Sequence, residues 1–306
     1  MEYGDIPLHF WSLRKQLMLE HCPQEALLYY RESRLTGDLA DSTPQTRYLH
    51  HLRRFLSTGE YRRKVLRENM RKLFYRVLNE DEEDTVPPLV DDALFSACSR
   101  QWETDWQYML TGSWENDHRR VCLLELTRSG SSFAGLHQEM TAALRRSCDA
   151  LEQGAWGRLQ NIPFHLRRSI ASPLLIHLNE LACCCAPVCA LERNGEFWIV
   201  ESSRPDDRVA LLHKFYAGTQ RGYAPEKVRS FVLDDQNGDF YEFGAAMDIS
   251  AAIRQISAGT QMWKELLAAP VEALPVTAAN CDGCRFVSVC RHKIFPHRDT
   301  LNPKKG

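Results

Sequence analysis

The chain has 306 residues, of which 44% are hydrophobic and 25% are charged, so it can bury one large core or two ordinary ones. Its formal net charge of −2 excludes nucleic-acid binding through overall charge, so any such surface must be a local basic patch. The acidic start lacks an apolar stretch, and no run approaches the roughly 18 apolar residues of a membrane span. Eleven cysteines without a secretory signal indicate a reducing compartment, so we expect a cytoplasmic protein without membrane contact.

Two short helices with a break between them are predicted near the start. Apolar residues at helical spacing predict a helix over 13–20, and a second apolar and aromatic stretch predicts another over 24–31. Pro23 separates them, because proline disfavours a helical conformation in the residue that precedes it. Cys22 is therefore expected at a junction between two helices.

A basic segment follows over 45–76, where apolar residues at helical spacing predict amphipathic helices. Helices with such outer faces can track the phosphates of a nucleic acid. The alternative is an ordinary solvated face that packs against acidic neighbours such as the run at 80–84, and both alternatives stay open. The basic residues that we assign to a nucleic-acid surface are Arg53, Arg54, Arg62, Arg63, Lys64 and Arg67.

The middle of the chain is predicted to be helical after an acidic linker. The linker covers 80–88 and ends in two prolines, and helical patterns resume from about 89 to 159. Tryptophans in a chain of this size are usually core residues. We therefore expect Trp102, Trp106, Trp114 and Trp156 in the core.

The second half alternates strands and helices, which predicts a mixed α/β or α+β fold. The Asn194-Gly195 dipeptide between two apolar runs predicts a hairpin over 188–203. The other predicted elements are strands at 174–179, 228–233 and 240–243, helices at 206–220 and 249–267, and an extended segment at 270–279.

Three cysteines near the end, Cys281, Cys284 and Cys290, have the spacing C-x2-C-x5-C. A pair of thiolates two residues apart can hold one metal centre from a tight turn, and Cys22 is the natural fourth ligand. A metal held in this way would join the two ends of the chain. The alternative is buried free thiols, since cysteine also behaves as a small hydrophobic residue. The run at 183–185 is interpreted as core, because adjacent strand residues face opposite ways.

The chain combines a Cys22-Pro23 pair near the start with the three late cysteines. Between them the predicted elements follow the order helix, hairpin, helix, hairpin, helix. In these features the chain resembles the iron–sulfur branch of the PD-(D/E)XK nuclease superfamily. That branch includes the RecB-like exonucleases, the AddB nuclease domain and the CRISPR-associated RecB-like nucleases. The resemblance spans nearly the whole chain and is most specific at the cysteines. It implies a restriction-endonuclease-like α/β core and a 4Fe-4S cluster on Cys22, Cys281, Cys284 and Cys290. Zinc is the alternative occupant, because C-x2-C also suits Zn²⁺.

The resemblance also implies an arrangement of the chain into one integrated unit. Residues 1–40 would form N-terminal helices that carry the first cluster cysteine. Residues 41–160 would form a helical region with the basic helices. Residues 161–306 would form the nuclease-like mixed sheet and the C-terminal cluster segment.

The catalytic positions that the resemblance implies are only partly present. The family's first aspartate falls at or near Cys189, and its catalytic lysine falls on Ser203. Cysteine is a poor ligand for hard Mg²⁺, and serine cannot supply the positive charge of lysine. We therefore assign no catalytic residue. The remnants of the family pattern are Glu201, Tyr216 on the following helix, and an early histidine at His50 or His51.

The sequence is compatible with three functions. We expect a catalytically degenerate nuclease-fold protein that binds DNA or RNA, or acts as a scaffold, within a larger DNA-processing or defence complex with protein partners. The first alternative is an active Mg²⁺- or Mn²⁺-dependent deoxyribonuclease with an atypical site on Glu201, His51 and a nearby lysine. The second is a structural subunit that contacts only protein and holds its ends together with zinc or an iron–sulfur cluster.

Overall fold

A computed structural model describes most of the chain. The described residues are 10–34, 42–75, 92–115, 117, 120–127, 132–170, 173–178, 180–202, 205–270, 274, 281 and 284–290. The predicted linker at 80–88, Ser203, and most of the predicted extended segment at 270–279 lie outside these residues.

The chain begins with two helices separated at Cys22. Helix α1 covers Leu13–His21, and Ser12 caps it by accepting a hydrogen bond from a backbone N–H in the first turn. Cys22 is extended, with φ −160° and ψ 109°, and Pro23 then begins helix α2, Pro23–Leu27. The chain continues as a π-helical turn over Leu28–Glu32. The predicted break at Cys22 is therefore confirmed.

The helical layer comes next, together with a short parallel strand pair. The long basic helix that starts at Thr58 begins with a capping box. In it, the Ser57 and Glu60 side chains each accept a hydrogen bond from the other residue's backbone N–H. The elements are α3 Pro44–Arg53, strand β1 Phe55–Leu56, α4 Thr58–Phe74, α5 Ala93–Leu110, strand β2 Cys122–Leu123, α6 Phe133–Gln153 and α7 Ala155–Leu159. Single 3₁₀ turns lie at Ser113–Glu115, Leu124–Thr127, Phe164–Leu166 and Pro225–Lys227.

The second half of the chain contains the main sheet and a separate two-stranded hairpin. The strands in this half are β3 Arg167–Arg168, β4 Leu174–Leu178, β5 Leu181–Cys185, β6 Cys189–Arg193, β7 Glu196–Glu201, β8 Val228–Leu233 and β9 Phe240–Phe243, and the helices are α8 Asp207–Arg221 and α9 Ile249–Ala268. Among the described residues, five strands pair in the order β3-β6-β7-β8-β9. Strands β7 and β8 are parallel, and the other pairs are antiparallel. Helix α8 connects β7 to β8, as a parallel crossover requires. The prediction of a mixed helix-and-sheet protein is confirmed.

The predicted hairpin between β6 and β7 is confirmed and has the expected tight turn. Asn194 and Gly195 both have positive φ, 53° and 74°. This is the conformation that makes the Asn-Gly pair a hairpin signal. The register places Cys189 opposite Val200, at the ends of the two strands furthest from the turn.

A second hairpin, formed by β4 and β5, was only half predicted. Its first strand was expected, but its partner was interpreted only as core cysteines. The connection between the strands covers two residues and lacks the Asn-Gly signal, and three consecutive cysteines show no alternation. Trp11 pairs beside β5, where its N–H donates to the Ala182 carbonyl at 2.6 Å.

The sheet lies between two apolar layers. Helices α4, α5 and α6 pack on the face that carries Cys189, Val200 and Leu233. Helices α8 and α9 and the β4–β5 hairpin pack on the face that carries Ile199 and Ala190. The predicted core position of Trp102, Trp106, Trp114 and Trp156 is confirmed, since each is at most 8% exposed. Among the described helices, none is long and apolar enough to cross a membrane.

Candidate metal centres and a basic groove

A groove of about 930 Å³ runs between α4 and the ends of β5 and β7. Its lining is rich in basic side chains that come chiefly from α4 and from the chain just before it. The basic residues are Arg14, Arg53, Arg54, Arg63, Lys64, Arg67, Arg71 and Lys72, and the acidic residues are Glu60, Glu68, Glu201, Asp234 and Asp235.

Some of these charges are already paired within the protein. Glu60 receives two hydrogen bonds from Arg285, at 2.6 and 2.7 Å, and Lys64 lies 3.0 Å from Glu68. These pairs neutralise two of the acidic groups. Positive charges therefore outnumber negative ones along the α4 wall, where Arg63 and Lys72 are exposed.

The six residues predicted to bind nucleic acid have different surroundings. Five line the groove: Arg53, Arg54, Arg63, Lys64 and Arg67. Arg62 does not line it, and its Nε atom is buried without a hydrogen-bond partner among the described residues. Arg53 lies over the ring of Tyr29, at 5.0 Å from the centroid.

Arg54 has a structural position, although it borders the groove. It is 6% exposed, and its Nη1 donates to the carbonyls of Trp114 and Asp117 at 3.0 and 2.6 Å. Its Nη2 lies 2.8 Å from Nδ1 of His51, which also packs edge-on against Trp114. Burial lowers the pKa of His51, and the Arg54 guanidinium lowers it further.

Both histidines considered for an early catalytic role have partners other than Glu201. His51 contacts Arg54 and Trp114, and Nδ1 of His50 lies 3.2 Å from the Ser33 carbonyl. Burial lowers the pKa of His50 to about 4, so its ring is neutral at neutral pH. A catalytic site that combines Glu201 with His51 has no support from this geometry.

The floor of the groove contains a cluster of three metal-ligand side chains. Glu201 ends β7, Cys185 ends β5, and His213 lies on α8. Their ligand atoms all lie within 4.8 Å of one another, and the three residues are 4%, 6% and 0% exposed. We call this set the floor cluster. A carboxylate, a thiol and an imidazole at these distances can hold a divalent metal ion.

Hydrogen bonds fix the imidazole of the floor cluster. His213 Nε2 lies 3.1 Å from Glu201 Oε1, and its Nδ1 lies 3.0 Å from Ser230 Oγ on β8. In the parallel β7–β8 register Ser230 is opposite Ile199, two residues before Glu201, so the Ser230 and Glu201 side chains lie on the same face of the sheet. Burial raises the pKa of the Cys185 thiol well above its usual value, and the Glu201 carboxylate raises it further.

Strand alternation explains why Cys189 is absent from this cluster. Cys189 pairs with Val200, and the two pack on the face of the sheet that α4, α5 and α6 cover. Glu201 follows Val200, so its side chain points to the opposite face. The position where the family's first aspartate was expected is thus buried in the core, on the face of the sheet opposite to Glu201. Tyr216 is buried beneath the sheet, and its hydroxyl accepts a hydrogen bond from Arg221 at 3.3 Å.

Cys22, Cys281, Cys284 and Cys290 are the second candidate centre, which we call the terminal cluster. Among the described residues, only the floor cluster brings three donor atoms within 4.8 Å of one another, so the terminal thiols are more widely spaced than that. Cys284 donates its backbone N–H to the Cys281 carbonyl at 3.0 Å, so the two share one turn. Burial raises the pKa of the Cys284 thiol to about 12, with smaller contributions from nearby Glu25, Cys22 and Cys290. The Cys290 thiol donates to Gln24 Oε1 at 2.7 Å. Cys22 and Cys290 are therefore close enough to influence the Cys284 thiol, and ligation of one metal by all four cysteines stays a prediction.

Side chains around the terminal cluster also join the two ends. The Phe286 ring is fully buried and packs edge-on against Tyr29, with centroids 6.4 Å apart. Arg285 reaches the backbone carbonyl of Phe55 and the carboxylate of Glu60. The described C-terminal residues are therefore docked on the N-terminal helices through Phe286 and Cys290, and on β1 and the start of α4 through Arg285.

The floor cluster was missed by the sequence reasoning. Cys185 was assigned to the core with its neighbours, and His213 had no assigned role. The only local signal was an ionisable residue inside an apolar stretch of α8, which pairing with a buried carboxylate would explain. No protein-family model matches the chain, and no curated protein is significantly similar to it in sequence. Several cysteines and the buried floor cluster are the residues that could bind metal.

Proposed function

We propose that this protein binds the phosphate backbone of DNA or RNA in the basic groove, as a nuclease-like subunit without nuclease activity in a larger DNA-processing or defence assembly. The observation that carries the proposal is the row of basic side chains along α4 in the groove wall. Phosphate contacts of this kind supply most of the sequence-independent affinity for nucleic acids.

The spacing along α4 suits a phosphate chain. Arg63, Arg67 and Arg71 are four residues apart, so their Cα atoms rise by about 6 Å from one to the next. Arg71 also donates to the carbonyls of Pro187 and Ile170, which hold it at the sheet end of the groove. A single strand laid along the groove would meet a guanidinium at each helical turn.

The arrangement around Glu201 supports a binding role over a conventional nuclease role. The proposed nuclease-like core would need a second carboxylate on the neighbouring strand to hold Mg²⁺. Cys189 stands there and faces the other layer of the protein. The order of β6, β7, α8 and β8 is compatible with such a core, whereas the metal-binding chemistry around it differs.

The proposed 4Fe-4S cluster would be held by Cys22, Cys281, Cys284 and Cys290. Their chemistry fits, because iron–sulfur clusters are held by cysteine thiolates. The proximity of Cys284 to Cys22 and Cys290 supports this ligand set. Its role would be structural, since it would close a loop of about 260 residues.

Binding can be tested by fluorescence anisotropy with labelled single- and double-stranded DNA and RNA over a range of salt concentrations. Reversal of two groove charges, Arg63→Glu with Arg67→Glu, should weaken binding at least tenfold and reduce the salt slope by about two. The matched control is Arg254→Glu with Lys264→Glu, since both residues are exposed on α9. Equal affinity of the two double variants, or no binding at low salt, would reject the groove as a nucleic-acid site.

Metal-dependent cleavage is a second candidate, favoured by Glu201 lying on the groove floor. It would appear as cleavage of the same labelled nucleic acids with Mg²⁺ or Mn²⁺. Loss of that cleavage in Glu201→Gln, with binding retained, would establish an active nuclease and overturn the non-catalytic role.

A further inference from the structure

The floor cluster has the composition of a transition-metal site. We infer that Cys185 Sγ, a Glu201 carboxylate oxygen and His213 Nε2 bind one divalent ion of the Zn²⁺ type, with a fourth coordination position open to the groove. The inference rests on the proximity and burial of the three donors, and metal binding itself does not depend on the proposed function.

The donor set selects the class of metal. Thiolate and imidazole are ligands for zinc-like ions, whereas Mg²⁺ prefers six oxygen ligands in an octahedron. Ligands about 2.0–2.3 Å from a tetrahedral ion lie roughly 3.2–3.8 Å from one another. The 3.1 Å separation of His213 Nε2 and Glu201 Oε1 is close to this range, and every pair lies within 4.8 Å. Only small side-chain adjustments would bring the three donors onto one ion.

Ser230 supplies the support that a histidine ligand needs. Ligating histidines almost always hydrogen-bond through the second ring nitrogen, which fixes the tautomer and the ring plane. The Ser230 hydroxyl lies 3.0 Å from His213 Nδ1. A hydroxyl both donates and accepts. Ser230 can therefore donate to Nδ1 while Nε2–H bonds Glu201, and accept from Nδ1–H once Nε2 binds a metal.

Charge balance favours a bound ion at this depth. A thiolate and a carboxylate carry two negative charges, and a divalent cation with a neutral imidazole cancels both. Burial of an uncompensated charge is costly, so a neutral set suits residues that are at most 6% exposed. Binding releases the thiol proton to solvent, since a coordinating thiol is deprotonated.

The open position faces the groove. Cys185 and Glu201 line the groove, whereas His213 is fully buried behind them. A metal held by all three would thus meet solvent on the groove side, which is how three-ligand zinc sites keep a place for water or a ligand oxygen. A phosphate oxygen is the ligand class expected there, and this last step rests on the proposed function.

Cobalt titration tests the metal site directly, because Co²⁺ replaces zinc and gives a thiolate charge-transfer band. The terminal cluster also contains thiols, so the test compares two cysteine variants in protein purified anaerobically with its terminal metal in place. Cys185→Ala should bind one cobalt equivalent fewer than the matched control Cys183→Ala, and lose the thiolate band of that equivalent. Cys183 is on the same strand and is fully buried, but it is not one of the clustered donors.

Two further variants keep the test decisive if Cys185→Ala misfolds. Glu201→Gln and His213→Gln preserve side-chain size closely, and each should weaken cobalt binding at least tenfold while circular dichroism stays unchanged. Inorganic phosphate should alter the visible cobalt spectrum of the unmodified protein. Equal cobalt binding in Cys185→Ala and Cys183→Ala, or unaltered affinity in both glutamine variants, would show a purely hydrogen-bonded core and overturn the inference. Unchanged nucleic-acid binding in the arginine variants, with cobalt binding intact, would reject only the proposed function.

Discussion

The terminal cluster and the floor cluster contrast in how the chain assembles them. In the terminal cluster, three of the four thiols are partly exposed and come from one short segment near the end of the chain. In the floor cluster, three different donors are buried and come from two strands and a helix of the sheet region. The local spacing of cysteines predicts the terminal cluster, whereas strand register and alternation bring together the residues of the floor cluster. A metal would therefore join the chain ends in one case and complete a functional surface in the other.

The surroundings sharpen the contrast. Around the terminal cluster, an aromatic contact and an ion pair already dock the chain ends, so a metal there would add to an existing tie. Around the floor cluster, Ser230 orients the histidine and the groove provides access. Loss of the terminal metal should consequently affect folding, and loss of the floor metal should affect ligand binding.

The largest predicted effect is that of Cys284→Ser. For the proposed 4Fe-4S cluster, this change should abolish iron binding and the cluster's brown colour. It should also lower the free energy of unfolding by about 5 kcal/mol, the chain-entropy contribution of a closed loop of this length. Iron and sulfide analysis with urea unfolding under anaerobic conditions measures both. Cys122→Ser is the control, since Cys122 is buried outside both clusters. Zinc in place of iron would identify the alternative occupant, and an equally stable, metal-free variant would contradict the structural role.

A second prediction concerns Lys15, a buried lysine of helix α1. Its Nζ donates to the Phe10 carbonyl at 2.9 Å and lies over the rings of Tyr30 and Trp263, and Cys184 is nearby. Burial lowers the pKa of Lys15 from 10.5 to about 8 in the folded protein. Between these values the unfolded chain holds more protons, so this residue's contribution to folding stability rises with pH.

Replacement by methionine isolates that contribution. The quantity to follow is the difference in the free energy of unfolding between the unmodified protein and Lys15→Met. This difference should increase by about 3 kcal/mol between pH 8 and pH 10.5. Below about pH 7 the difference should be constant, because the lysine is then protonated in both the folded and the unfolded state. Urea unfolding at several pH values measures it, and subtraction largely removes the titration of other groups, including Cys184, whose pKa burial raises to about 11. A difference that does not vary with pH would contradict the buried-charge interpretation.

Much of the fold was predictable because its signals are local. The Cys22-Pro23 break, the Asn194-Gly195 turn and the apolar spacing of α8 and α9 depend on residues within a few positions of one another. Strand β5 was not predicted as an element, because three identical residues carry no alternation. Its pairing with β4 is decided by the partner strand and by Trp11 beside it.

The floor cluster was not predictable from local signals. Cys185 and Glu201 are 16 positions apart and belong to different strand pairings, and only the finished sheet decides which face each occupies. The assignment of a lost acid to Cys189 followed the sequence order and ignored the face. A shift of one residue along a strand reverses the side on which a side chain lies, so register had to be known first.

The smallest predicted effect is that of Ser230→Ala, which should weaken metal binding at the floor cluster and leave the terminal cluster unchanged. Ser230→Ala removes the hydroxyl beside His213 Nδ1 and leaves all three proposed ligands in place. The affinity of the floor cluster for Co²⁺ should fall by roughly 10- to 100-fold, the usual effect of losing the hydrogen bond behind a ligating histidine. Ser230→Thr retains the hydroxyl and should largely restore affinity. Iron content at the terminal cluster should be the same in all three proteins, because Ser230 lies on β8 within the sheet. A fall in iron content together with cobalt affinity would mean that the change disturbs the whole fold, whereas unaltered cobalt affinity would mean that His213 is held for packing alone.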